Sequence, residues 1–156
     1  LIIFIPLLNF GGMMIASLAN KRMRNEKIAT IVLFAVGFLS IVCLYYYGYI
    51  NAIIGLLLLG VSSAMMYGAN TLLLGVIPMN YAKYNKVSSV AGLLDFCSYL
   101  AAGFTSSITG LIVDKLGWNG VLVIWLLCCV FGILALIVSL YSNERKDKRF
   151  LWTKNL

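Results

Sequence analysis

Asp95 lies in the run Val90-Ala91-Gly92-Leu93-Leu94-Asp95-Phe96-Cys97-Ser98, where nearly every neighbour is apolar or small. The other four acids, Glu26, Asp114, Glu144 and Asp147, fall in polar connecting segments. On a helix, positions 95, 98, 99, 102 and 106 share one face. The carboxyl therefore lines up with the small residues Ser98, Ala102, Ser106 and Gly110. An ionisable group deep in such a run is costly and is a functional-site hypothesis by default. Two roles fit it: a coupling-proton carrier, or one half of an ion pair with Lys83, Lys86 or a base on helices missing from this chain. Asn9, Asn70 and Tyr67 lie in comparable apolar runs, and each can either hydrogen-bond a polar solute or tie two helices together.

Other chemistry finds no foothold. The chain has no histidine, which removes imidazole triads, proton relays and metal ligands. Neither a phosphate-binding Gly-rich loop nor a nucleophile elbow occurs, and no cluster has metal-ligand spacing. The four cysteines, Cys43, Cys97, Cys128 and Cys129, are embedded in apolar runs without Cys-x-x-Cys spacing, as buried small hydrophobes are. No enzyme activity, cofactor or metal is expected.

The elements that must position these side chains follow from composition. Of 156 residues, 62% are hydrophobic and 11% charged, and the mean hydropathy is +0.98. A water-soluble domain of this length cannot hide so much apolar surface. The chain is expected to be an all-α membrane protein, because helices satisfy their own backbone in lipid and unbroken apolar runs do not alternate as barrel strands do. A bilayer core takes roughly 20 apolar residues of helix. Five transmembrane helices are predicted, at about 1–19, 28–47, 50–77, 87–113 and 119–141, followed by a basic tail over 142–156. The chain opens on Leu1 inside an apolar run, without Met or a charged leader, so it is expected to be a fragment of a longer protein.

Charge then sets orientation. Loop one holds Lys21, Arg22, Arg24 and Lys27; loop three holds Lys83 and Lys86; the tail holds Arg145, Lys146, Lys148, Arg149 and Lys154. Loop two has no charge, and loop four has Lys115 as its one base. This asymmetry predicts that loops one and three and the tail are cytoplasmic. Tyr45, Tyr46, Tyr47, Tyr49 and Trp118 would form the outer aromatic belt. Beside a final span, the basic tail is expected to rest on anionic membrane lipid and not on nucleic acid.

Small residues decide which helices pack closely in lipid. The third span carries Gly60, Ala64 and Gly68, with the polar Ser63, Tyr67, Asn70 and Thr71 beside them. The fourth carries the Ser98-Ala102-Ser106-Gly110 stripe, and the first has Pro6, Asn9, Gly11, Gly12 and Ser17. Spans one, three and four are expected to form a protein-facing or cavity-facing layer. Spans two and five, almost wholly aliphatic or aromatic, are expected at the periphery.

The run Ala16-Ser17-Leu18-Ala19-Asn20-Lys21-Arg22-Met23-Arg24-Asn25-Glu26-Lys27 resembles the cytoplasmic-loop signature of the major facilitator superfamily. Asn20 stands where that signature has an acid, Lys21 at its first base, Arg24 and Lys27 at later bases, and Met23 in place of its glycine. The stretch Val90 to Ala102 is similar to the eleventh helix of the organophosphate:phosphate antiporters, the branch that carries glycerol 3-phosphate and hexose phosphates. Gly110-Leu111-Ile112-Val113-Asp114-Lys115-Leu116-Gly117-Trp118-Asn119-Gly120 resembles the turn into their twelfth helix. Asp95 differs from the small residue that branch tends to have there.

The resemblance implies that this chain is helices eight to twelve, a partial carboxy-terminal six-helix bundle of the major facilitator fold in the cell (plasma or inner) membrane. It implies a secondary carrier of a small anionic solute that works by alternating access. The missing amino-terminal half would be its partner and would hold the phosphate-binding arginines. Asn20, Lys21, Arg22, Arg24 and Lys27 would form a cytoplasmic latch. A proton-coupled drug exporter of the same superfamily and a non-transporting sensor or remnant are the alternatives.

Overall fold

The computed structural model describes the backbone of residues 5–154 and the side chains of residues 5–142. Residues 1–4 of the first expected span, and the basic side chains of the tail, lie outside the described residues. All regular elements among the described residues are helical.

Helix α1 (Ile5–Met23) stops where Arg24 turns into the left-handed region (φ 51°); the Arg24 N–H still reaches the Asn20 carbonyl at 2.9 Å. Asn25 then starts α2 (Glu26–Tyr47). Its backbone is extended, and its Oδ1 accepts from the N–H groups of Lys27 at 3.0 Å and Ile28 at 3.4 Å, satisfying donors that a helix start leaves open. Asn51 caps α3 (Ala52–Thr71) in the same way, accepting from the Ile53 N–H at 2.9 Å.

Beyond Thr71 the helix widens into a π-helical turn, Leu72–Val76, and then the short α4 (Ile77–Met79), which holds Pro78. Proline lacks an N–H and its ring crowds the preceding turn, so a local change of helical register accommodates it. A single 3₁₀ turn, Ala82–Tyr84, leads to α5 (Val87–Lys154). This last helix is broken at Gly117, whose φ of 68° and ψ of −170° fall in a region that glycine essentially monopolises. It consists of an amino-terminal arm, 87–116, and a carboxy-terminal arm from 118.

Among the described residues, three stretches are long and apolar enough to cross a membrane: Glu26–Tyr47, Ala52–Tyr84 and Val87–Ser142. Helix α1 covers the first expected span but is not among them, since its described part closes on the polar Asn20-Lys21-Arg22. Large apolar side chains lie on the surface throughout, including Leu7, Phe10, Phe104 and Phe131.

The buried residues concentrate where α3 meets α1 and α2. Ala16, Ala29, Leu33, Ala64, Met65, Ala69 and Leu72 form one cluster. Its tightest part is the α1–α3 seam. A methyl group built on Gly12 would collide with the backbone of Ala64, and one on Gly68 would come within 2.7 Å of the Gly12 carbonyl oxygen and 3.1 Å of the Ala16 Cβ. The two backbones thus approach as closely as small residues permit. Helix α2 lies between α3 and the later arm of α5: Met66 of α3 reaches Gly37 on one side, and Phe34 covers Gly132 of α5 on the other. Span two is therefore an interior helix on two flanks, where its aliphatic composition suggested the periphery.

Hydrogen bonds fix which ends lie together. At one end Lys27 Nζ donates to the Ser139 carbonyl (3.1 Å) and hydroxyl (2.8 Å), and Asn80 Nδ2 donates to Glu26 Oε1 at 2.8 Å. At the opposite end the Tyr49 hydroxyl donates to Asn119 Oδ1. The helices therefore run up and down alternately.

The seam yields a sharp test. Gly12→Leu should lower stability by about 1–3 kcal/mol or more, because a backbone neighbour cannot swing aside as a side chain can. Gly11→Leu, where an added carbon meets nothing within 4 Å, should stay within about 0.5 kcal/mol of the parent. Equilibrium unfolding in mixed micelles, followed by circular dichroism, measures both. Equal losses at the two positions would contradict the seam.

Candidate functional site

The residues that the sequence singles out divide into four places. Asn9 and Ser63 come together in the α1–α3 seam, where the Ser63 hydroxyl donates to Asn9 Oδ1 at 2.9 Å. Both are half-buried. The small stripe Gly60, Ala64 and Gly68 is buried against α1 beside them. One polar pair and one close-packing stripe thus share a single interface.

Tyr67 and Asn70 are one turn further along α3 and are exposed. The Thr71 hydroxyl turns inward onto its own helix, donating to the Tyr67 carbonyl at 2.9 Å. These side chains face away from the seam, so the polar stripe of the third span divides between two directions.

Asp95 is exposed on the amino-terminal arm of α5. Ser98, Ala102, Ser106 and Gly110 share its face and are exposed as well; a carbon built on Gly110 meets nothing within 4 Å. The Ser98 hydroxyl donates to the Leu94 carbonyl at 2.9 Å, within the helix. The stripe on the third span is therefore packed, while that on the fourth is uncovered among the described residues. Lys86 precedes Asp95 by roughly 14 Å of helix rise, which its side chain does not span, and Lys83 lies farther back. The intramolecular pairing open to Asp95 in the sequence does not form with either lysine.

Loop one is built as a short rigid turn. Asn20 is half-buried, its carbonyl holding the Arg24 N–H, while Lys21, Arg22 and Arg24 are exposed. Lys27 departs from that set: its ammonium spans to Ser139 on the last helix. Charge-assisted bonds of this kind are stronger than neutral ones. Glu26, beside it, receives Asn80, which draws loop three against loop one and gathers Lys83 and Lys86 at the same end as Lys21, Arg22 and Arg24.

Ser139, Asn80 and Asn119 are participants to which sequence reasoning assigned no bond. Each is an ordinary polar residue at the end of an apolar run, and its partner is 54 or more positions away. Among the described residues, no group of three or more His, Cys, Asp or Glu side chains is close enough to hold a metal ion.

No protein-family model matches the chain, and no solved structure matches it. Over 84 residues it is 26% identical to the glycerol-3-phosphate transporter of Bacillus subtilis (strain 168). That similarity covers 53% of this chain and 19% of the transporter, so the chain spans only a small part of its relative's length. Together with the long apolar helices, the similarity marks a transporter-like membrane protein.

Proposed function

We propose that these 156 residues are part of a secondary carrier of the major facilitator type, which moves a small anionic metabolite, such as an organophosphate, by alternating access. The observation that carries this reading is the similarity to a glycerol-3-phosphate transporter. The fold supports it. A 56-residue apolar stretch, Val87–Ser142, would be roughly 84 Å long as one straight helix, far beyond a hydrocarbon core of about 30 Å. Taken as two passes about Gly117, with α1, α2 and α3, it gives five passes. In this scheme Asp95 faces the transport cavity and couples solute movement to protons. Lys21, Arg22 and Arg24 latch the cytoplasmic side against the amino-terminal half.

Transport is tested with the complete gene product that carries these residues, reconstituted in phosphate-loaded vesicles. Labelled glycerol 3-phosphate should accumulate in exchange for phosphate. The Asp95→Asn variant should transport with a flattened pH dependence; an unchanged pH profile would remove the coupling role. Proton-driven movement of a lipophilic cation, without organophosphate exchange, would favour the exporter. Folded protein that moves no solute would favour a sensor.

Orientation is tested separately. In a background with Cys43, Cys97, Cys128 and Cys129 changed to serine, Tyr49→Cys should react with a membrane-impermeant maleimide in intact cells. Lys83→Cys should react only after permeabilisation. The reverse pattern would invert the proposed topology, in which the tail and loops one and three are cytoplasmic in the cell membrane.

A further inference from the structure

A groove runs along the bundle between α3 and the later arm of α5, with α2 as its floor and Ile5 of α1 at its edge. Two cavities compose it, of about 430 Å³ and about 250 Å³, and they share Leu59 and Trp125. The floor is Phe34, Ile41, Leu44 and Gly48, one face of α2 that covers roughly 21 Å of rise. Trp118 and Leu122 line one end of the opposite wall, and Cys128 lines the other. The groove is thus long, narrow and parallel to the helices.

Its chemistry is almost wholly apolar. The aliphatic hydroxyls in its wall are those of Ser62 and Ser63, and both donors are spent, Ser62 on the Leu59 carbonyl at 2.9 Å and Ser63 on Asn9 Oδ1 at 2.9 Å; the remaining donors are the indole of Trp125 and, at one end, Trp118 and Tyr49. A buried water needs two to four polar partners, so water has little to hold it here. At one end the groove reaches Tyr49 and Trp118, beside the hydrogen bond from Tyr49 to Asn119. Tyrosine and tryptophan favour the membrane–water boundary. From that end the groove descends farther than the roughly 15 Å depth of one leaflet's hydrocarbon.

We propose that this groove is a lipid site that holds one acyl chain of the leaflet on the Tyr49 side. The lipid's polar group lies at the level of Tyr49 and Asn119, and its chain follows Leu44, Leu59 and Trp125 down to Ile41 and Phe34. Three observations favour a chain over a compact solute: the axial direction, the length, and the placing of Tyr49 and Trp118 together at one end. An apolar void in a membrane protein also forfeits dispersion contacts that the surrounding lipid can supply. The site does not depend on the transport reading.

The test uses the protein in phosphatidylcholine vesicles that contain a small fraction of phosphatidylcholine with a diazirine at mid-chain. After illumination, mass spectrometry of the peptides locates the cross-links. They should concentrate on Leu59, Trp125 and Cys128, and stay sparse on Phe131 and Val138, which are 73% and 67% exposed. Cys128→Trp, which fills the groove from its more open side, should abolish the groove cross-links while helix content is retained. Phe131→Trp, on the outer face, should leave them in place. Cross-links spread in proportion to exposure would overturn the proposal on the parent protein alone, whether or not the filled variant folds. Groove residues joined to a second copy of the chain would overturn it too.

Discussion

The contact between the backbones of α1 and α3 governs the rest of this structure. In lipid, helices gain little by hiding apolar side chains from one another, because the acyl chains outside are equally apolar. What remains is close packing and a few hydrogen bonds. Gly12 against Ala64, and Gly68 against Gly12 and Ala16, bring two main chains to a separation that no larger residue allows. That approach also brings Ser63 within reach of Asn9. A hydrogen bond of this type in a bilayer contributes about 0.6 kcal/mol on average, so the seam relies on dispersion first and polarity second. Helix α2 then packs on the far flank of α3, and the later arm of α5 packs on α2. Displacing α1 exposes the cluster around Ala64 and Ala69, which the outer helices do not cover from that direction.

Paired polar ends complete what the seam begins. Lys27 with Ser139 and Glu26 with Asn80 bind the ends of α2, α4 and α5 at one pole, and Tyr49 with Asn119 binds the other. Only up-and-down helices of matched length place all of these residues together. The same geometry concentrates the bases of loops one and three at one pole and places Tyr45, Tyr46, Tyr47 and Tyr49 of the uncharged loop at the other, and such segregation orients a membrane protein. The Asn80–Glu26 and Tyr49–Asn119 bonds use none of the bases that make the charge asymmetry, and the two features agree on which loops share a side.

Much of this was legible in the residues. The unbroken apolar runs gave helices, and the caps lie where Asn25 and Asn51 precede those runs. Gly60, Ala64 and Gly68 lie on the face of α3 that meets α1. The seam also required Gly12 and Ala16 opposite, and spacing within one helix does not reveal its partner. The identical period in Ser98-Ala102-Ser106-Gly110 did not distinguish an uncovered face from a packed one, because a small residue permits close approach without compelling it. Composition placed α2 at the periphery, yet its glycine at position 37 and the gap over Gly132 admit Met66 and Phe34. Pairings such as Lys27 with Ser139 are long-range consequences of the packing, and no local pattern encodes them.

Gly117 separates two parts of α5 that obey different constraints. The later arm is held by α2 through Phe34 and Gly132, and its exposed side carries aliphatic and aromatic residues such as Leu127, Phe131 and Leu134, which lipid solvates well. The earlier arm is exposed on nearly every face, and one of those faces bears a carboxyl. Placing an aspartate at mid-bilayer costs about 2.5–3.5 kcal/mol on an insertion scale, and stretches of Ser98, Ala102, Ser106 and Gly110 offer lipid fewer contacts than leucine would. A face that is poor for lipid and carries a charge is stable only beside protein or water. In the proposed carrier both are supplied by the cavity between two halves, where a carboxyl can exchange protons and small residues leave room for solute. The break at Gly117 lets that arm take its own direction while the later arm remains fixed to the seam-anchored bundle.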